Sequence, residues 1–307
     1  MATSTWPPLP RAAWQDTYAT LHMYTQVIGK LRLALCAPEN QFWHVPFYVT
    51  VRGLTTSPMP YGDRTLEIDF DFIDHAVVAR SSDGRTGTLA LAPRSVADFY
   101  EAVRAMLAGL DVDVHIWDHP VEIPDPIPFH ADTRHSAYDA KAVHRFFEVL
   151  RRADIVLKEY RGRFSGKSSP VHFFWGSFDL AVTRFSGRPA PARPDADRIT
   201  QLSYNEEVMS VGFWPGAGDV DAAFYAYAAP EPPGFADAKV LPAAAFYHRG
   251  MKELILPYEA IRAAERPGDE ILAFAESAYE AAVRLGGWDR PALERAVIMD
   301  GEHGASA

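Results

Sequence analysis

Apolar positions along this chain follow two periods, and each predicts its own kind of element. A helical spacing runs from Trp14 through Tyr18, Leu21, Tyr24, Ile28, Leu31 and Leu35, and Pro38 ends it. The opposite face, with His22, Gln26 and Lys30, reads as solvated. The same spacing returns behind Ser95, a good N-cap, in Val96, Phe99, Tyr100, Val103, Met106, Leu107 and Leu110. A third helix is expected behind a Ser136 cap, through Val143 to about Tyr160, and a fourth from Asp269 to Leu285, stopped by Gly286-Gly287.

Between these helices the period drops to two. Trp43, Val45, Phe47, Val49 and Val51 alternate with His44, Tyr48, Thr50 and Arg52, which predicts a strand. It belongs at an edge, because Pro46 has no N–H to give a ladder. Leu66, Ile68, Phe70 and Phe72 alternate with Glu67, Asp69 and Asp71, so pairing of the two strands would turn Arg52 and His44 towards a row of carboxylates. Further strands are expected at 76–80, 86–91, 112–117, 207–214, 222–228 and 251–256, with Pro215-Gly216-Ala217-Gly218 joining two of them.

The pattern predicts an α+β fold of antiparallel sheets flanked by amphipathic helices, in two similarly ordered halves, each helix, sheet, helix. Residues 1–119 make the N-terminal half, 120–136 a proline-rich crossing segment, 137–290 the C-terminal half and 291–307 a polar tail, with the halves packed as one unit.

Chemistry concentrates in PVHFFWGSFDLAVTRFSGR, from Pro170 to Arg188. Gly176-Ser177 predicts a tight two-residue hairpin in which Phe174 faces Asp179, Phe173 faces Leu180 and His172 faces Ala181. Phe173, Leu180 and Val182 then share a core face, whereas His172, Phe174, Asp179, Ala181 and Thr183 share the other. His172 and Asp179 become diagonal neighbours roughly 7–8 Å apart at the backbone, within reach of a side-chain hydrogen bond. A carboxylate there would fix the imidazole tautomer and raise its pKa.

Composition narrows function by exclusion. The chain has 307 residues and is 48% hydrophobic, enough to bury a sizeable core. Its net charge of −10 is spread along the sequence and opposes attraction to nucleic acid or an anionic membrane. The single Cys36 allows no disulfide framework and suits a reducing cytoplasm. No leader-like start and no apolar run near ~18 residues is present, so neither export nor a membrane span is expected. No H-E-x-x-H, G-x-S-x-G or G-x-G-x-x-G occurs, and Gly166-Lys167-Ser168 fails as a phosphate loop because Arg161 stands where glycine is required.

The expected function is an enzyme acting on a small polar or anionic metabolite in an aromatic-lined cleft. His172 serves as base or ligand, Asp179 orients it and Glu207 is the second carboxylate. Arg184 or Arg52 clamps an anionic group, and Trp175, Trp43 and Trp214 wall the pocket. A histidine with two carboxylates suits either a divalent ion or metal-free acid–base work, so metal and cofactor stay open here, as does oligomeric state. A non-catalytic ligand-binding or regulatory protein is the alternative.

QVIGKLRLALCAPENQFWHVPFYVTVRGLTTSP, SPVHFFWGSFDLAVTRFSGR, EVMSVGFWPG and ELILPYEAIR together resemble a bacterial family, domain of unknown function 5996. The resemblance spans nearly the whole chain, from Trp6 to about Arg290, and implies one family unit rather than a fusion. It carries over no reaction, cofactor, partner or catalytic residue.

Overall fold

Helix α1 (Gln15–Leu35) is buried from Thr17 to Arg32, apart from half-buried Ala19. The helical stripe read from sequence is therefore only part of its contact surface. His22, Gln26 and Lys30 are buried rather than solvated, because two non-helical segments cover their face. His22 meets the carbonyls of Trp175 and Gly176, Gln26 meets the backbone of Val121, and the Lys30 ammonium lies 4.8 Å from the Trp117 ring centre. The computed structural model that gives these positions describes residues 6–216 and 220–294. The Ala217-Gly218 part of the expected turn and most of the polar tail lie outside the described residues.

The first sheet contains β1 (Tyr48–Val49), β2 (Gly53–Thr55), β3 (Met59–Tyr61), β4 (Arg64–Asp71), β5 (Ala76–Ser81) and β6 (Thr86–Ala90). Its order is β1-β2-β4-β5-β6, with β3 also paired to β4, and every pairing is antiparallel. The alternating pattern of residues 43–51 yields only the two residues of β1. Ahead of it, Gln41 and Phe42 take left-handed backbone in a short 3-10 turn, and Pro46 cannot extend the ladder backwards. Helix α2 (Val96–Ala108) follows, with the Ser95 hydroxyl accepting from the Asp98 N–H at 3.0 Å. Residues 112–117 join no ladder; the Asp113 N–H is taken by the Tyr61 hydroxyl instead.

Helix α3 (Ala140–Gly162) is capped by Asp139, whose carboxylate accepts from the N–H groups of Lys141 and Ala142; Ser136 is not the cap. The second sheet contains β7 (His172–Phe174), β8 (Asp179–Pro189), β9 (Glu206–Trp214), β10 (Ala223–Ala229), β11 (Phe246–His248) and β12 (Glu253–Pro257). Its order is β11-β12-β10-β9-β8-β7, so the last two strands lie out of sequence, which the first sheet does not repeat. Helices α4 (Arg198–Ser203), α5 (Tyr258–Arg262), α6 (Pro267–Gly286) and α7 (Arg290–Leu293) complete the described chain. Gly287 ends α6 in left-handed backbone (φ 61°), where glycine pays no Cβ penalty.

The second sheet has two unlike faces. Leu180, Val182, Val211, Phe213, Phe224, Ala226, Leu254 and Leu256 belong to the main core, under α3 and α6. That core also takes in Ile28 of α1 and Phe70 and Phe72 of the first sheet region, so it runs through both halves. A direct backbone link joins the sheets: the Phe47 N–H donates to Phe173 O (2.8 Å) and the Phe173 N–H to Phe47 O (2.7 Å). The other face of the second sheet carries tyrosines and carboxylates and lines two cavities. No helix among the described residues is long and apolar enough to cross a membrane.

Candidate functional site

The hairpin keeps the register read from sequence, with Phe174 opposite Asp179, Phe173 opposite Leu180 and His172 opposite Ala181. The turn itself is longer, Trp175 to Phe178, and Phe178 takes positive φ (59°). Trp175, at the start of this turn, donates its indole N–H to Val45 O at 2.9 Å. The predicted polar face is real: His172, Phe174, Asp179, Ala181 and Thr183 all line one cavity of about 320 Å3. A neighbouring cavity of about 670 Å3 opens on the far side of Asp179, and Tyr204, Tyr225 and Tyr227 are shared between the two.

Asp179 is the residue around which the larger cavity is built. It is 7% exposed, and its two oxygens accept from the Ser177 hydroxyl and the Tyr225 hydroxyl. Burial raises its pKa, while these two hydrogen bonds pull it partly back. Tyr225 stands on β10 and reaches Asp179 across β9, because Gly212 lies opposite it in the ladder. A Cβ at Gly212 would come within 2.3 Å of the Tyr225 ring, so only glycine lets that ring lie flat over the sheet.

Two more carboxylates face the same space. Glu253, at the start of β12, is pushed up to about 7, first by burial and then by the charge of Asp179. Glu122 comes from the crossing segment, with positive φ (57°). The Gln26 side chain holds that segment in register, donating to Val121 O and accepting from the Val121 N–H, both at 2.8 Å. Its carboxyl group then lies against Gly176, where a Cβ would sit 2.6 Å from Oε1. Burial of this end raises Glu122, and the charges of Asp179 and Asp197 raise it further.

The walls are aromatic: Tyr18, Trp214, Tyr204, Tyr225 and Tyr227, with Met23 and Met251. Burial pushes Tyr18 up to about 12, so its phenol stays protonated. His22 also lines the cavity. Its Nε2 lies 3.0 and 2.9 Å from the carbonyls of Trp175 and Gly176, which requires the proton on that nitrogen and leaves Nδ1 as an acceptor. Burial holds this imidazole down to about 4, hence neutral.

The structure separates several residues that the sequence grouped. His172 is 1% exposed, its Nδ1 has no partner among the described residues, and it makes no hydrogen bond with Asp179, whose oxygens are already taken. Burial drives its pKa down to about 3, the reverse of what a carboxylate partner would do. Glu207 lies away from the cavity, where Arg188 binds its Oε2 at 2.8 and 2.6 Å and also caps the carbonyls of Gly286 and Gly287. Arg184 is buried on the opposite face of β8, stacked 3.5 Å from the Tyr160 ring centre and paired with Glu276 at 3.4 Å. Arg52 belongs to the first sheet and pairs with Asp71 and Asp74. Neither arginine reaches the cavities. Trp175 is a core anchor, Trp43 lines the smaller cavity and Trp214 the larger.

The basic side chains at the end of α3 and just after it are paired as well: Arg163 with Glu159, Lys167 with Glu206, and Arg161 donates to Ser169 O. Asp132, 1% exposed, accepts from the His135 ring and from the N–H groups of Arg134 and His135 in its own loop. Among the described residues no three His, Cys, Asp or Glu side chains converge closely enough to hold a metal ion.

Sequence periodicity missed Glu122, Glu253, Tyr204 and the Tyr225–Tyr227 pair. The one available signal was in YAY, whose two tyrosines share a strand face, opposite the glycine of SVGFW. No curated protein and no solved structure matches the chain. Residues 6–295 match a family model, and the chain belongs to the family of unknown function DUF5996.

Proposed function

We propose that this protein is an enzyme that transfers a proton to or from a small polar molecule held in the larger cavity, with Glu253 as the acid–base group. The observation that carries the reading is Glu253 itself, poised near 7 beside buried Asp179 within aromatic walls. A general acid–base group works best when its pKa lies close to the operating pH. Burial sets that value first and the charge of Asp179 adds to it, while Ser177 and Tyr225 hold Asp179 in place. The acid–base role thus passes from His172 to Glu253. The substrate class narrows to uncharged or positively charged molecules, since three carboxyl groups face the cavity with Arg11 as the single basic side chain in its lining apart from the histidines.

A binding role without catalysis is the second reading, favoured by the full occupation of both Asp179 oxygens by protein hydroxyls. Mass spectrometry separates the two. The protein is incubated with a bacterial metabolite extract, beside a folded Glu253→Gln variant. A compound consumed by the wild type and spared by the variant is expected. A compound retained by both and consumed by neither would support binding alone. The single half-buried cysteine and the net charge of −10 support a cytoplasmic protein whose partner is a small molecule rather than nucleic acid.

A further inference from the structure

The smaller cavity has two buried polar side chains with unmet hydrogen-bonding capacity. His172 is 1% exposed, its Nδ1 has no partner, and burial keeps the ring neutral. Gln41 is 6% exposed; its amide nitrogen donates to Asn205 Oδ1 at 2.9 Å and towards Glu206 Oε1 at 3.4 Å. Those two acceptors fix which way the amide points, and its Oε1 is left without a donor. Buried polar groups are nearly always paired, so two orphans on one cavity wall mark a place where something else supplies the partners.

The remaining groups narrow what that partner is. The polar wall combines paired hydroxyls, Thr183 with Ser210 at 3.0 Å and Tyr204 with Tyr227 at 2.9 Å, with two carboxyl groups, Glu122 and Asp179, the latter with both oxygens already taken by Ser177 and Tyr225. Lys167, near Trp43, is held by Glu206, so no free cation is offered to an anion. Trp43, Phe174 and Phe185 add flat apolar surface. At about 320 Å3 the space lies at the small end of ligand sites, which run from roughly 300 Å3 upwards.

We propose that the smaller cavity is a subsite for one ring of an uncharged polyol, a sugar or cyclitol, whose hydroxyls donate to Gln41 Oε1 and exchange hydrogen bonds with the His172 imidazole. Aromatic rings take the C–H face of such a molecule, and neutral polar groups take its hydroxyls. The proposal stands on these groups alone and does not need the acid–base chemistry of the adjoining cavity.

Calorimetry and saturation-transfer NMR on the full chain test it with D-glucose, D-ribose and myo-inositol as probes, and with choline and citrate as charged controls. At least one uncharged probe binds the wild type saturably. In both His172→Leu and Gln41→Met its affinity falls about tenfold or more, the worth of one hydrogen bond to a buried group. The ligand-free melting temperature of His172→Leu stays level or rises, because an apolar side chain replaces an unpaired polar one. Failure of all three probes to bind, or undiminished binding in both variants, would overturn the proposal. So would tighter binding of choline or citrate than of any uncharged probe.

Discussion

Glu253 is the residue whose charge the larger cavity controls most directly. In the unfolded chain its carboxyl titrates near 4.5, whereas in the fold it titrates at about 7. Between those values the folded protein holds a proton that the unfolded chain has released, so this residue makes stability fall as pH rises through that window. With discounting for partial exposure, the cost at pH 8 is about 1–2 kcal/mol. Glu253→Gln is therefore expected to be more stable than the wild type by about that amount at pH 8 and nearly equal to it at pH 4. Urea unfolding at the two pH values checks this, and an equal change at both would assign the effect to packing instead. The buried histidines work in the opposite direction. His22 and His172 titrate near 6.5 when unfolded but at about 4 and 3 when folded, so the stability they confer is complete above 6.5 and lost as pH falls towards those values. His172→Leu should flatten that acid-side loss in a pH series of thermal melts. His172 and Asp179 were legible in the sequence as members of one polar face, because a hairpin fixes its own register. Their partners were not: Asp179 takes the Tyr225 hydroxyl from another strand besides Ser177 of its own turn, and His172 Nδ1 has no partner among the described residues.

At the scale of elements, the site depends on a missing side chain and on one amide. Gly212 on β9 leaves room for the Tyr225 ring, and a methyl group there would meet Cζ and Oη at 2.3 Å and the Leu180 carbonyl at 2.4 Å. The backbone carbonyl cannot yield, so the ring must leave Asp179. Gly212→Ala is expected to cost about 1–3 kcal/mol and to release Asp179 from its phenol, which a change in tyrosine absorbance at high pH would register. Gln26→Leu attacks the other support. It leaves the N–H and C=O of Val121 unpaired, at a cost of about 2–4 kcal/mol, and frees the segment that carries Glu122. Faster amide exchange confined to residues 118–124 is the expected signature. The long helices and most strands were legible because period alone encodes them, but residues 43–51 and 112–117 carry the same period and supply only the two residues of β1 and no strand at all, respectively. The crossing segment was not, because its prolines give no period and its path is set by Gln26, a residue that helical spacing assigned to solvent.

At the scale of the whole molecule, the two halves share more than a boundary. Helix α1 belongs to the first half, yet its buried polar side chains bond the crossing segment and the turn of the second-half hairpin. Phe47 and Phe173 exchange backbone hydrogen bonds between the sheets, and one apolar core includes Phe70 and Phe72 of the first half with Phe146 and Phe147 of α3. The cavities follow the same plan, since the larger takes Tyr18 and His22 from α1, Glu122 from the crossing segment and Asp179 and Glu253 from the second sheet. A half expressed alone would expose that core and leave His22 and Gln26 without partners. Residues 1–119 and 137–290 made separately are expected not to fold, whereas the full chain should melt in one transition seen alike by far-ultraviolet dichroism and by tryptophan fluorescence. Two separated transitions in the full chain, or a cooperative melt of either fragment, would show instead that each half has a sufficient core. The site would then be a cleft between independent bodies, open to hinge motion, rather than a cavity built into a single one.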